Sequence, residues 1–181
     1  MRGLQVFEVD HSSSQAWKRA RLAELGIEAP PNLRYVSIDL ERETLAARLD
    51  AGGVDRNAKA FFSWLGVTQY LTRDAVLKAL REIVSATVAG SEIVVTFVVP
   101  ASILNRTESE LLAAVSERPA SIGEPFLSLF EPREMIAVME QAGFVDICCF
   151  GPEDAARTYL VDRRDALRMP GYSRLTKGYV G

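Results

Sequence analysis

Histidine, cysteine and surplus positive charge are scarce in this sequence, and each scarcity removes a class of function. His11 is the only histidine among 181 residues, so a mechanism that needs a histidine pair or a Ser-His-Asp relay would have to be built from other groups. The two cysteines, Cys148 and Cys149, are adjacent in a strand-like segment and therefore point to opposite faces, which suits buried thiols rather than a disulfide staple or a metal site. With so few ligands a structural zinc is excluded. Lys and Arg total 21 against 24 Asp and Glu, a net charge of −3, which leaves no cationic surplus to neutralise a phosphate backbone and argues against nucleic acid as a partner. Long hydrophobic runs are also missing. The longest, Ile93 to Pro100, is too short to span a bilayer, and the first residues lack the charged-then-apolar pattern of a secretory leader. These absences describe a cytoplasmic protein without a membrane partner. No internal repeat, low-complexity tract or linker divides the chain, and its length suits one domain.

What is present is an ordinary globular composition, 48% hydrophobic and 25% charged, organised around Leu4 to Asp10. Val6, Phe7 and Val9 are strand formers, the run ends on an acid, and a helical pattern follows at once. Ligands of open α/β sheets bind outside the carboxyl ends of the strands. Asp10, at such a tip, has the lone pairs to accept both hydroxyls of a ribose and is the first candidate site residue. The alternative is that it merely caps the next helix.

The rest of the chain alternates strand and helix. Ser12 to Leu25 reads as a helix capped by serine and stopped at Gly26, and Asn32 to Leu40 as a second strand ending on an acid, Asp39. Leu45 to Leu49 is a short helix, and Ala60 to Leu65 a strand apolar enough to be buried on both faces. Thr72 caps a helix carrying Val76, Leu80, Ile83, Val84 and Val88, which Gly90 stops, and Ile93 to Val99 is another buried strand. Thr107 and Glu110 form a capping box for a helix, a Gly/Pro-punctuated loop spans Pro119 to Pro125, and residues 101–130 read as an inserted lid. Pro132 opens a helix closed by Gly143, Phe144 to Phe150 is strand-like, and Tyr159 to Val161 is a candidate last strand. Apolar strands alternating with helices predict an α/β fold with a mostly parallel sheet covered on both faces.

Four stretches carry a family resemblance: Val6 to His11; Val36 Ser37 Ile38 Asp39 Leu40; Phe62 to Leu71, reading FSWLGVTQYL; and Gly123 Glu124 Pro125. Together with Arg163 and Asp165 Ala166 Leu167 Arg168 near the end, they resemble the leucine carboxyl methyltransferase family, in particular its actinobacterial-type S-adenosyl-L-methionine-dependent O-methyltransferases. The resemblance implies a class I, Rossmann-like methyltransferase fold. It also implies that the acid after the family's second strand, here Asp10, binds the cofactor ribose, and that the positions after its third strand, here Asp39 and Leu40, bind the adenine side.

Three departures from the family pattern stand out. Trp64 Leu65 occupy the place where an acid often ends the fourth strand, so no cofactor contact carries over there, and Ser12 replaces the usual proline after His11. Third, the chain begins at what should be the second strand. Residues 1–181 are then the C-terminal part of one class I domain, lacking the first strand and its glycine loop, and no G-x-G pattern replaces that loop. Loss of the backbone cradle for the methionine end would weaken S-adenosyl-L-methionine binding, and unpaired edges at the missing central position would invite self-association. The implied function is methyl transfer from S-adenosyl-L-methionine to a carboxylate or hydroxyl of a small molecule, without a metal. The lid, with Glu124, Phe126 and Phe130, and the tail, with Tyr159, Arg163 and Arg168, would shape the acceptor pocket; the alternative is that the phenylalanines are core and the arginines a solvated face. The competing expectation is a truncated, catalytically inactive binding or interaction module of the same fold.

Overall fold

The computed structural model describes residues 3–165 and 167–181. Ala166, which belongs to one of the stretches carrying the family resemblance, lies outside them. Among the described residues six strands and six α-helices follow one another: β1 (Val6–Asp10), α1 (Ser12–Glu24), β2 (Leu33–Ser37), α2 (Leu45–Gly52), β3 (Phe61–Trp64), α3 (Arg73–Ser85), β4 (Glu92–Val98), α4 (Arg106–Ser121), α5 (Pro132–Ala142), β5 (Phe144–Phe150), α6 (Pro152–Thr158) and β6 (Ser173–Val180). Single 3-10 turns at Thr68–Tyr70 and Ala101–Ile103 follow β3 and β4.

The strands form two sheets. β1 and β2 pair in parallel, Val6 opposite Leu33 through Asp10 opposite Ser37. The other sheet has the order β3-β4-β6-β5, with β3 parallel to β4 and β6 antiparallel to both of its neighbours, so β3, β4 and β5 run the same way. Among the described residues β1 pairs only with β2, and β3 only with β4.

The core lies on one face of the four-stranded sheet. Ile93, Val95 and Phe97 alternate inward along β4 and are wholly buried against the Val76, Leu80 and Ile83 stripe of α3 and the Met135 and Met139 stripe of α5. Each fully buried side chain of this size contributes about 1.5–3 kcal/mol of hydrophobic stabilisation. α2 packs beside α3, and Val36 of β2 meets Gly52 so closely that an added Cβ would stand 2.6 Å from its methyl group. On the opposite side α1 covers the β1–β2 sheet, with Lys18 paired to Glu8 and Arg19 over the Tyr35 ring at 5.1 Å.

Several sequence expectations are corrected. β3 is not buried on both faces: Phe61 is 64% exposed, because it shares with Glu92 and Val94 the sheet face turned away from α3 and α5. The cysteines are not both buried. Cys148 is exposed beside Lys177 and Cys149 half-buried, where burial pushes its thiol up. α1 is capped by His11 rather than by a serine, through Nδ1. α4 is capped by Asn105, whose Oδ1 accepts from Glu108 N–H at 2.9 Å, and it runs through Pro119 to Ser121. Pro119 sits in the last turn, where the carbonyl it orphans lies near the helix end. Tyr159 is not in a strand but follows α6, and the last strand is Ser173–Val180, inserted between β4 and β5.

Candidate functional site

The two acids singled out in the sequence stand at neighbouring strand tips. Asp10 is the last residue of β1, and its carbonyl accepts from Ile38 N–H at 3.0 Å, which ties the end of β1 to the residue just before Asp39. Its Oδ1 accepts from His11 N–H at 2.7 Å, while Oδ2 has no partner among the described residues and the side chain is exposed. Asp10 therefore stops short of being the helix cap: His11 takes that position, its Nδ1 lying 2.7 Å from Ser13 Oγ.

Asp39 opens a tight turn. Its carbonyl accepts from Arg42 and Glu43 N–H, its Oδ1 accepts from Glu41 N–H at 3.0 Å, and its own N–H donates to Glu43 Oε2 at 2.8 Å. That backbone N–H and then the Arg48 guanidinium hold the Glu43 carboxyl below the usual glutamate range. Leu40 turns into the core. The turn is held from outside by α3: Thr72 N–H donates to Glu41 Oε1 at 2.9 Å, Lys78 Nζ to the Glu43 carbonyl at 2.8 Å, and Glu82 accepts from Leu45 and Ala46 N–H at the start of α2. Buried Gln15 of α1 staples the strands beneath, donating to the Glu8 carbonyl at 2.8 Å and the Val36 carbonyl at 3.1 Å. Glu43 stands four residues past Asp39 and could have been suspected from that spacing. The clamps from α3 are long-range and left no local sign.

A concavity opens at the C-terminal ends of β3 and β4. Gly66 adopts φ +74°, and its N–H donates to Thr96 Oγ1 at 2.6 Å. Thr68 Oγ1 donates to the Thr96 carbonyl at 2.9 Å, and Ser128 Oγ to the Thr68 carbonyl at 2.9 Å. Leu127 N–H donates to the Gln69 carbonyl at 2.6 Å, which seats Phe126 edge-on against Tyr70 with ring centroids 5.5 Å apart. The resulting cavity, about 430 Å3, is lined by Leu65, Gly66, Tyr70, Thr96, Val115 and Phe126 among others. Phe130 is core rather than cavity, and Tyr159 is exposed against Phe150. Among the described residues no cluster of His, Cys, Asp and Glu could hold a metal ion, and no helix is long and apolar enough to cross a membrane.

Residues 1–84 match the sequence profile of the leucine carboxyl methyltransferase family. The chain is similar to YktD of Bacillus subtilis, assigned as an S-adenosyl-L-methionine-dependent methyltransferase, at 30% identity over 91% of this chain and 54% of that protein. It is similar to a Mycobacterium marinum protein of the same assignment at 33% identity over 57% of this chain and 34% of the other. The chain thus spans about half, or less, of the length of these curated relatives. Among solved structures, human N-acetylserotonin methyltransferase in complex with SAM superposes with a TM-score of 0.59 at 12% identity, over 99% of this chain and 41% of that one. A Thermotoga maritima SAM-dependent methyltransferase gives 0.59 at 14% identity, over 97% and 73%. Over its first 84 residues the chain is similar to the leucine carboxyl methyltransferase family, and its fold is that of the class I S-adenosyl-L-methionine-dependent methyltransferases.

Proposed function

We propose that the chain carries the adenosine-binding edge and the acceptor side of a methyltransferase that moves a methyl group from S-adenosyl-L-methionine to an oxygen of a small molecule. The observation that carries this reading is the pair of adjacent parallel strands of which one ends on Asp10 and the other leads directly into the turn at Asp39. The free Oδ2 of Asp10 can accept from ribose hydroxyls, and the Asp39–Leu40 turn, braced by Glu43, can meet the adenine side. The cofactor, when bound, supplies a methyl group already activated on a sulfonium. The protein's own work is then alignment and exclusion of water, and it needs no covalent nucleophile. The cavity beside Tyr70 and Phe126 is the place for the acceptor, with residues 101–130 as its cover. Among the described residues its lining contains no histidine, carboxylate, lysine or cysteine to take a proton. That composition favours a carboxylate acceptor, which arrives already deprotonated, over a hydroxyl, which needs a base.

Titration calorimetry with S-adenosyl-L-methionine tests the reading. Asp10→Ala is expected to weaken binding about tenfold or more, the loss of a hydrogen bond to a charged group. Its thermal unfolding should stay close to that of the unaltered chain, because the side chain is exposed. Unchanged affinity in both Asp10→Ala and Asp39→Ala would overturn the assignment.

A further inference from the structure

A second cavity, about 390 Å3, lies at the C-terminal end of β5, between the start of α4, α6 and the residues leading into β6. Its lining shares no residue with the cavity beside Tyr70; the two lie on either side of the chain from Gly171 to Arg174. Ile103, Leu104, Leu160, Leu167 and Met169 make an apolar wall. Four charged residues, Glu108, Arg168, Glu153 and Arg174, complete the lining, and they are not equivalent.

Glu108 is spoken for: its carboxylate is only 13% exposed, accepts from Gly171 N–H at 2.7 Å and faces Arg168 at 3.6 Å. Arg174 is different. It is half-buried, and its Nη1 donates to the carbonyls of Gly171 and Ser173, which fixes the guanidinium plane. Among the described residues its Nε and Nη2 have no hydrogen-bond partner and it forms no ion pair, although its charge reaches the Asp154 carboxyl, which is held by the Gly151 N–H and Arg157. The guanidinium rests against Gly151, where even a Cβ would stand 3.2 Å from Nε. Glu153 Oε2 faces the same spot, 3.4 Å from that Cβ position, yet forms no ion pair with Arg174. A pre-positioned, half-buried arginine with an open donor edge beside an apolar wall is the arrangement that grips a carboxylate in bidentate fashion.

We propose that this cavity binds a small organic carboxylate with an apolar tail, its head on the Nε and Nη2 edge of Arg174 and its tail on the leucine and methionine wall, with Glu153 repelling the head. The proposal stands apart from the methyl-transfer reading and does not depend on it.

The experiment is titration calorimetry of the chain with octanoate, and with octylamine and octanol of matched length. Octanoate is expected to bind saturably, and octylamine and octanol about tenfold more weakly or worse. Arg174→Gln should lose octanoate by about tenfold or more, and Arg174→Lys should keep part of it. Because Arg174 also holds two carbonyls of its own turn, the exposed Glu153→Gln is the second variant, and it should tighten octanoate severalfold by removing a facing like charge. Equal binding of octanoate, octylamine and octanol would overturn the proposal, as would no saturable octanoate binding. A Glu153→Gln affinity unchanged or weaker would overturn it as well.

Discussion

The two sheets divide the work unevenly. The four-stranded sheet holds the wholly buried apolar core, Ile93, Val95 and Phe97 among others, whereas the two-stranded sheet ends on Asp10 and leads two residues later into Asp39, and it buries little beyond Val36. A two-stranded ribbon is marginal by itself in water. β1 and β2 are therefore stable because of what touches them: Gln15 from one side and α2, docked on α3 through Glu82 and Lys78, from the other. The edge that would do the binding borrows its rigidity from the part that does the packing.

The sharpest way to break this comparison is in the core. Phe97→Ala is expected to destabilise the protein by about 3–5 kcal/mol, the cost for truncating a buried phenylalanine. Denaturant unfolding followed by both near- and far-ultraviolet dichroism should show the two sheets lost together. Next in size is Glu82→Ala, which strips the acceptor from two N–H groups at the start of α2 and should cost about 1–3 kcal/mol. Hydrogen exchange should speed up in β1 and β2 and stay slow in β4 and β6. Equal acceleration in both sheets would mean that they do not open separately.

The smallest effect is electrostatic. Glu43 sits below its ordinary range in the folded turn because the Asp39 N–H and Arg48 favour its charged form. Its contribution is present above the unfolded glutamate value and fades as pH falls through the lower folded one. Exchange of the Asp39 amide should therefore rise relative to its intrinsic rate at acid pH, and Glu43→Gln should show the faster exchange already at neutral pH.

The legible parts of the sequence were those with one dominant local signal. α3 and α5 keep helical spacing, Thr72 caps and Gly143 stops where expected, and β4 is apolar without interruption. The acids at the tips of β1 and β2 could be found because strand ends meet ligands in such sheets. β6 went unread because Arg174, Lys177 and Gly178 mask its inward set, Thr176, Gly178 and Val180. Gly178 looks like a strand breaker but is a packing device: a Cβ there would stand 3.0 Å from the Met139 methyl. The braces on Asp39 and the partnering of Thr96 with Gly66 and Thr68 join residues roughly thirty positions apart, and no local pattern records them.

The place of β6 also has a consequence in time. It is the sixth strand synthesised, yet it lies between the fourth and fifth, which have no ladder to each other without it. β5 must wait, with Phe144 and Ile147 on hand but no neighbour to pair with, until Ser173–Val180 has been made and threaded between. Closing that gap depends on contacts distant in sequence, which raises contact order and slows folding. A nascent chain arrested before Ser173 would leave one edge of β4 and both edges of β5 unpaired, the kind of exposed strand that favours chaperone capture and misassembly.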